Sequence, residues 1–284
     1  MPKISVLMPL YNTNEDYLVD AIESVLNQTF HDFELILLND GSDNSAAIES
    51  IIRSYNDQRI RYYANEINLG VARSRNRLIE LAEGKYLAIM DHDDISLPQR
   101  LEHQVNFLDK HEEVGVLGSW HENIPAKNII KVPAENDKIE DNMMFASSML
   151  HTTVMLRKSS LLNNNIKYEE YFSPAEDYMI FVRLLGKTKF ANLSEVLLKY
   201  REHENNTSKK RKKLIRARVV EASLVARETN SMIWDRVRLH TTSITRIRLF
   251  ESLLFLTIKK NLNITKVYLF GFIPILSMKT KDNI

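Results

Sequence analysis

An acidic cluster, Asp91-His92-Asp93-Asp94, directly follows an apolar run at residues 86–90. Two carboxylates about 5 Å apart repel by roughly 3 kcal/mol at an effective dielectric constant near 20. A buried pair of this kind is therefore unfavourable unless a cation lies between the groups or one of them is protonated. Asp91 and Asp93 consequently indicate a site for a divalent cation.

The composition narrows the choice of metal. The chain of 284 residues contains no Cys, so the ligands must be oxygen or imidazole nitrogen, which favours hard cations such as Mn²⁺ or Mg²⁺. A hydrophobic content of 44% is ample for a packed core and excludes an intrinsically disordered protein.

The elements that must position the cluster form a repeating pattern. Short apolar runs at residues 4–8, 33–38, 60–64 and 86–90 alternate with longer stretches whose apolar residues have helical spacing. This alternation is typical of βαβ units with a buried parallel sheet, and helical crossovers make such a sheet doubly wound. Further along the chain, the patterns predict a helix after Pro98, strands at 114–118 and 152–156, an irregular polar segment at 121–142 and a helix over 175–185.

Ligands bind beyond the carboxyl ends of the strands in sheets of this class. Three polar segments follow the predicted strands there, at residues 9–12, 39–43 and 91–94. The first strand is followed by neither a glycine-rich dinucleotide-binding turn nor a Gly-Lys-Ser phosphate loop, which argues against nicotinamide and P-loop chemistry. Phosphate groups are then expected to be held through a metal.

The motifs, taken in order, resemble the signature of the family 2 inverting glycosyltransferases. The resemblance covers roughly residues 3–208, and its pattern is most similar to bacterial enzymes that extend lipooligosaccharide or O-antigen. The segments that carry it are Pro9-Leu10-Tyr11-Asn12, Leu38-Asn39-Asp40-Gly41-Ser42-Asp43, Asn68-Leu69-Gly70 with Ala72-Arg73 and Asn76, Asp91-His92-Asp93-Asp94, His151-Thr152-Thr153, Ala175-Glu176-Asp177 and Tyr200-Arg201-Glu202-His203. The resemblance implies a GT-A fold with a Rossmann-like doubly wound mixed sheet, and UDP-sugar as the usual donor.

The resemblance assigns the donor site to the carboxyl edge of the sheet. Tyr11 is similar to the residue that stacks on uracil, with a core or interface tyrosine as the alternative. Asp40 resembles the acceptor of the uracil N–H, with an Asx turn as the alternative. Arg73 stands where the family places a diphosphate-binding arginine, with a solvated helix arginine as the alternative. The nucleotide-sugar set implied in this way is Pro9, Tyr11, Asn12, Asp40, Asn68, Arg73, Asp91 and His203.

The same resemblance assigns the metal. Asp93 is expected to be the direct ligand of Mn²⁺ or Mg²⁺, Asp91 to contact the ribose or a metal-bound water, and His203 to reach the metal or diphosphate when a segment closes over the donor. A surface histidine is the alternative for His203. His92 is expected to point to the opposite side, and Asp94 to cap the helix that opens near Pro98.

Transfer needs a base that takes the proton of the acceptor hydroxyl. Asp177 matches the family base, and Glu176 is expected to raise the local negative potential or to orient the acceptor. The alternative is that both residues only favour the first turn of a helix through its dipole. Phe181 stands where many relatives carry Trp, so the surface that would bind the acceptor can differ in shape from theirs. The choice of acceptor is therefore left open.

Charge divides the chain at residue 208. From Lys209 onward there are 17 basic and 5 acidic residues, which leaves 21 basic and 32 acidic residues before it. We therefore predict a glycosyltransferase domain at 1–208, with a nucleotide-sugar half at 1–95 and an acceptor half at 96–208. A basic amphipathic helical tail follows at 209–284 and binds anionic membrane rather than nucleic acid. The apolar run at 267–278 is too short to span a bilayer and is expected to lie in its interface.

These expectations combine into one function, with two alternatives. The protein is predicted to be a metal-dependent glycosyltransferase that moves a hexose or N-acetylhexosamine from a UDP-sugar to a glycan or lipid-linked acceptor of bacterial surface polysaccharide. The start of the chain shows no signal segment, so a cytoplasmic enzyme on the inner face of the cell membrane is expected. A sugar-phosphate nucleotidyltransferase and a non-catalytic membrane-surface binding protein remain as alternatives.

Overall fold

The structure is a computed structural model that describes residues 1–240, 256–261, 264–269 and 273–279. It comprises two compact units, Met1–Asn230 and Ser231–Ile284. The strands of the first unit are β1 (Ile4–Leu10), β2 (Phe33–Asp40), β3 (Ile60–Asn65), β4 (Tyr86–Ile89), β5 (Ile95–Ser96), β6 (Val114–Ile124), β7 (Asn128–Ile130), β8 (Met155–Arg157) and β9 (Lys189–Arg201). Its helices are α1 (Glu15–Leu26), α2 (Ser45–Ser54), α3 (Val71–Leu81), α4 (Arg100–Lys110), α5 (Asn136–Met143), α6 (Lys158–Leu162), α7 (Glu176–Leu184), α8 (Thr207–Lys210) and α9 (Lys212–Thr229).

The N-terminal half is the predicted doubly wound sheet. Strands β3, β2, β1 and β4 pair in parallel in that order, and a helix forms each crossover. Every residue of β2 is buried, as expected for a strand covered on both faces. The carboxyl ends of these strands meet at one edge, so Asp40 and the 91–94 cluster lie on the same side of the sheet.

The second half of the unit adds antiparallel strands, so the sheet is mixed, as predicted. Strand β8 runs antiparallel to β4 and β6, while β9 is parallel to β6 and also pairs with the short β5. The predicted strand at 152–156 is instead a 3₁₀ turn at His151–Thr153 followed by β8. In that turn, Thr153 Oγ1 donates to Leu150 O at 2.7 Å, and such local bonds compete with strand pairing.

The prediction of an irregular segment at 121–142 is wrong. Strand β6 continues to Ile124 and pairs with β7, and helix α5 follows with Ile139 and Met143 buried. The polar sequence hides this order because the stabilising partners are distant in the chain. Asn136 Oδ1, for example, accepts from Phe190 N of β9 at 2.9 Å.

The first compact unit extends past residue 208. Helix α9 buries Val220, Ala222 and Ala226 and packs against α7, and Arg227 Nε donates to Met144 O at 2.9 Å. The basic residues at the start of α9 are therefore part of the same unit as the sheet. No helix of the described ranges is long and apolar enough to cross a membrane.

The second unit consists, in its described part, of α10 (Ser231–His240) and an antiparallel sheet of β10 (Leu256–Asn261), β11 (Ile264–Leu269) and β12 (Ile273–Lys279). Strands here differ from the helical tail that the sequence predicts. β-Branched residues such as Thr257, Ile258 and Thr265 favour extended structure. The apolar run at 267–278 falls on β11 and β12, except for 270–272, which lie outside the described residues.

Candidate active site

The acidic cluster lies in the connection from β4 to β5. Asp91 N donates to Thr152 Oγ1 at 3.2 Å, and Asp91 Oδ1 accepts from Arg75 Nη2 at 3.4 Å. Burial raises the pKa of Asp91 above its ordinary value; Arg75 opposes the shift and the negative charge of Asp93 adds to it. The repulsion expected between Asp91 and Asp93 is therefore present, with Arg75 as a partial counter-charge.

The Asp93 carboxylate contacts the His203 ring. Asp93 Oδ2 lies 2.8 Å from His203 Nε2 and 3.4 Å from Asn206 Nδ2. Asn205 N donates to His203 Nδ1 at 3.2 Å. A neutral ring that accepts at Nδ1 carries its hydrogen on Nε2, so His203 donates to Asp93. The alternative of a free surface histidine is contradicted by this contact.

The pair offers one carboxylate and one imidazole to a cation. Within the described residues, no group of three or more His, Cys, Asp and Glu side chains is arranged around a common point. Two protein ligands fit a cation that takes its remaining ligands from substrate phosphates and water, as Mg²⁺ sites commonly do. If Asp93 and His203 are to bind the same ion, the hydrogen bond between them must break.

Asp94 is buried beneath this pair and is not a helix cap. Its Oδ1 accepts from Arg201 N of β9 at 2.9 Å, whereas the residue that precedes α4 is Gln99, without a side-chain cap bond. Burial and then the charges of Asp93 and Asp91 raise the pKa of Asp94 well above its ordinary value. The predicted cap is wrong because Asp94 precedes the short strand β5 and its side chain bonds to β9 instead of the first turn of α4.

Arg75 connects the two halves of the site, and sequence reasoning missed it. Arg75 Nη1 donates to Glu176 Oε1 at 2.6 Å, and Nη2 reaches Asp91. Burial alone lowers the pKa of Arg75, but Glu176 and Asp91 raise it above its ordinary value, so the side chain stays charged.

Arg73 faces away from these residues. It is 55% exposed and pairs with Glu170 at 2.7 Å. The two arginines differ in their position around the axis of α3. Arg75 lies three and four residues before the buried Leu78 and Ile79 and so shares their face of α3.

Asp177 is the second residue of α7, next to the buried Glu176. Its Oδ1 accepts from Tyr178 N at 2.7 Å. Burial and the neighbouring Glu176 carboxylate raise the pKa of Asp177 to about 6, with Arg75 opposing. The predicted effect of Glu176 on the local potential is therefore present. Phe181, one turn further, is fully buried against His151 and does not form a surface platform.

Both carboxylate oxygens of Asp40 accept hydrogen bonds from other residues of the protein. Its Oδ1 accepts from Asn65 Nδ2 at 2.6 Å and from Leu69 N at 3.0 Å, and its Oδ2 accepts from Gly70 N at 2.9 Å. Asp40 thus anchors the loop before α3. The Asx-type bonds of this segment belong to Asn39, whose Oδ1 accepts from Ser42 N at 3.1 Å.

The other predicted donor-site residues lie beside Asp40 at this edge. Tyr11 follows β1 and is 47% exposed, which contradicts the alternative of a core tyrosine. Asn12 has a positive φ of 47° and exchanges hydrogen bonds with Asp43, through Nδ2 at 3.0 Å and Oδ1 at 2.8 Å. Pro9 pairs with Leu38 across β1 and β2, and Asn68 is exposed beside the loop that Asp40 anchors.

Comparison with known proteins gives a consistent result. Residues 5–168 match the model of glycosyl transferase family 2. The chain is 39% identical over 207 residues to an uncharacterized glycosyltransferase, MJ1057, of Methanocaldococcus jannaschii, covering 70% of this chain and 71% of that protein. It is 34% identical over 214 residues to the O-antigen biosynthesis glycosyltransferase WbnJ of Escherichia coli, covering 72% and 82% of the two chains.

Solved structures support the fold. S. aureus TarS 1–349 in complex with UDP-GlcNAc superposes with a TM-score of 0.63 at 23% identity, over 72% of this chain. This chain spans 60% of that structure's chain. The mannosyltransferase PcManGT from Pyrobaculum calidifontis, in complex with GDP-Man and Mn²⁺, gives 0.62 at 14% identity, over 85% of this chain and 70% of that one.

Proposed function

Because the chain belongs to glycosyl transferase family 2, we propose that it is an inverting, metal-dependent enzyme that moves a hexose or N-acetylhexosamine from a UDP-sugar to a glycan or lipid-linked acceptor. The acceptor belongs to bacterial surface polysaccharide, since a relative is an O-antigen glycosyltransferase. The observation that carries the proposal is the Arg75 bridge. It joins Asp91 of the donor half (1–95) to Glu176, the neighbour of Asp177, in the acceptor half (96–208).

The donor is proposed to bind along the carboxyl edge of the sheet. Exposed Tyr11 supplies an aromatic face for uracil, and Asp40 orders the loop that carries Asn68. Diphosphate recognition, expected of Arg73 from sequence, is reassigned to Arg75, whose guanidinium lies beside Asp91. A planar guanidinium suits phosphate oxygens.

Asp93 and His203 are proposed to hold Mn²⁺ or Mg²⁺, and Asp91 to assist. When bound, the cation supplies positive charge that stabilises the leaving diphosphate. The metal ligands in this proposal are carboxylate oxygen and imidazole nitrogen. A structural neighbour was solved with Mn²⁺.

Asp177 is proposed to be the general base. Its carboxylate takes the proton of the acceptor hydroxyl as the hydroxyl oxygen attacks the anomeric carbon, and the bond from that carbon to UDP breaks with both electrons leaving on UDP. One displacement inverts the anomeric centre and needs no enzyme nucleophile. A base whose pKa is about 6 is mostly ionised at pH 7 and still accepts a proton more readily than an ordinary Asp.

The test is UDP release from a panel of UDP-sugars with Mn²⁺, with and without candidate acceptors. Asp177→Asn should abolish transfer while UDP and Mn²⁺ still bind, because only the proton acceptor is lost. Near-normal turnover of that variant would remove Asp177 from the base role. Pyrophosphate release from UTP and a sugar phosphate, without UDP release, would instead support the nucleotidyltransferase alternative.

The membrane is proposed as the second partner. The basic patch comprises six exposed residues, Lys209, Lys210, Arg211, Lys212, Lys213 and Arg216. Of the ion pairs found among the described residues, only that of Lys209 with Glu204, at 3.5 Å, involves the patch. Each such residue contributes about 1 kcal/mol near anionic lipid. The patch would place the active site at the inner face of the membrane, where a lipid-linked acceptor is presented.

A further inference from the structure

The turn at residues 201–206, between β9 and α8, carries His203 to Asp93. Asn206 stabilises it from within, because its Oδ1 accepts from His203 N at 2.6 Å and its Nδ2 donates to Arg201 O at 3.2 Å. These bonds hold the backbone of the turn. They do not fix where the turn lies relative to the sheet.

Arg201 attaches the start of the turn to its surroundings. Arg201 Nε donates to Asp93 O at 2.8 Å, and Nη2 pairs with Asp20 Oδ2 of α1 at 2.7 Å. Its guanidinium lies 4.4 Å from the centre of the Tyr17 ring, which is within the range of a favourable cation–π contact.

Tyr17 touches the turn a second time, at His203. The centres of the Tyr17 and His203 rings are 5.3 Å apart, with the planes tilted by 41°. Among the described contacts, Tyr17 and Asp93 are the two side chains outside the turn that reach the His203 ring. One half-buried ring thus contacts the turn at two places, Arg201 and His203.

Tyr17 itself is held in place by its helix. It stands in the first turn of α1, where Asn14 Oδ1 accepts from Tyr17 N at 3.1 Å as the helix cap. Capping of this kind orders the first turn. The ring is therefore presented from an element that does not depend on the 201–206 turn.

We propose that Tyr17 is a positioning residue that holds His203 over Asp93 and thereby sets the affinity of this pair for a divalent cation in the presence of a nucleoside diphosphate. The inference rests on the proposed function. If the turn is not held in place beforehand, binding must order it, and the cost of ordering lowers the affinity.

The test compares three variants of the full chain. Tyr17→Leu keeps apolar bulk but removes the aromatic ring, and Tyr17→Phe keeps the ring. Tyr63→Leu is the matched control, because Tyr63 is a half-buried tyrosine whose ring centre also lies near an arginine, 5.8 Å from the Arg61 guanidinium, on β3 at the far end of the strand order from β9. The measurement is the Kd of Mn²⁺ with saturating UDP, from the electron paramagnetic resonance signal of free Mn²⁺, with a thermal melt of each variant.

Tyr17→Leu should raise the Kd of Mn²⁺ about tenfold, while Tyr17→Phe stays within about threefold and Tyr63→Leu within about twofold of wild type. A folded Tyr17→Leu protein with wild-type affinity for Mn²⁺, or an equal loss in Tyr63→Leu, would overturn the role of Tyr17 and leave the proposed function standing. A wild-type protein that binds neither Mn²⁺ nor UDP would overturn the proposed function, and this role with it.

Discussion

The pH dependence of transfer should report on the Glu176–Asp177 pair. Since the pKa of Asp177 is raised to about 6, its carboxylate is protonated below that pH and cannot act as a base. We expect kcat/KM to be level above pH 7 and to fall through an acidic limb centred near pH 6. Glu176→Gln is the perturbation that tests the cause of this shift.

The charges near Asp177 determine whether its pKa rises or falls in Glu176→Gln. Glu176 is a negative neighbour that raises the pKa of Asp177, while Arg75 opposes the rise. Replacing Glu176 with Gln removes the first effect and keeps the second, so the pKa of Asp177 must fall. A like charge about 7 Å away at an effective dielectric constant of 20 amounts to roughly 2 kcal/mol, or about 1.5 pKa units. Burial is the larger cause of the rise and is unchanged by the substitution, so we expect the pKa of Asp177 to fall by about one unit and to stay above its ordinary value.

The assay is UDP release between pH 4.5 and 8 with a fixed acceptor. Wild type and the control Arg73→Gln should share the limb near pH 6, because Arg73 is exposed and pairs with Glu170. The acidic fall of kcat/KM for Glu176→Gln should be centred near pH 5. Gln can still accept from Arg75, and a thermal melt checks that the variant is folded. If its limb stays near pH 6 or moves to higher pH, the electrostatic account of Asp177 is refuted.

Two further predictions concern stability and membrane binding. Asp40→Asn should lower the free energy of unfolding by about 2 kcal/mol. An amide nitrogen replaces one of the two carboxylate oxygens, so the N–H of Leu69 or of Gly70 loses its acceptor. Urea denaturation measures the change, and Asp43→Asn, at an exposed position, is the control. A loss below about 0.5 kcal/mol would show that the loop before α3 does not depend on Asp40. Replacing all six residues of the basic patch with Gln should abolish salt-sensitive sedimentation with anionic vesicles while UDP still binds. Unchanged sedimentation would exclude the patch as the anchor. Substitution is preferable to truncation at residue 208, because α9 packs in the same compact unit as the sheet.

The N-terminal half of the fold was predictable because its signals are local. Each parallel strand is a continuous apolar run and each crossover has helical spacing, so the order of elements and the edge that carries the site follow from the pattern. The segment at 121–142 was not predictable in this way. Its order depends on β9, and Asn136 binds Phe190 across 54 positions of sequence.

The site divides along the same line. The sequence by itself determined the family and the types of residue at the proposed site, since Asp91, Asp93, Asp177 and His203 stand in motifs that keep their order along the chain. Only the tertiary structure decided which arginine contacts Asp91 and what surrounds each carboxylate. Arg73 and Arg75 are chemically identical, but the phase of α3 exposes one and buries the other between Asp91 and Glu176. The pKa of Asp177 depends on burial and on charges within a few ångströms, quantities that exist only after the chain has folded.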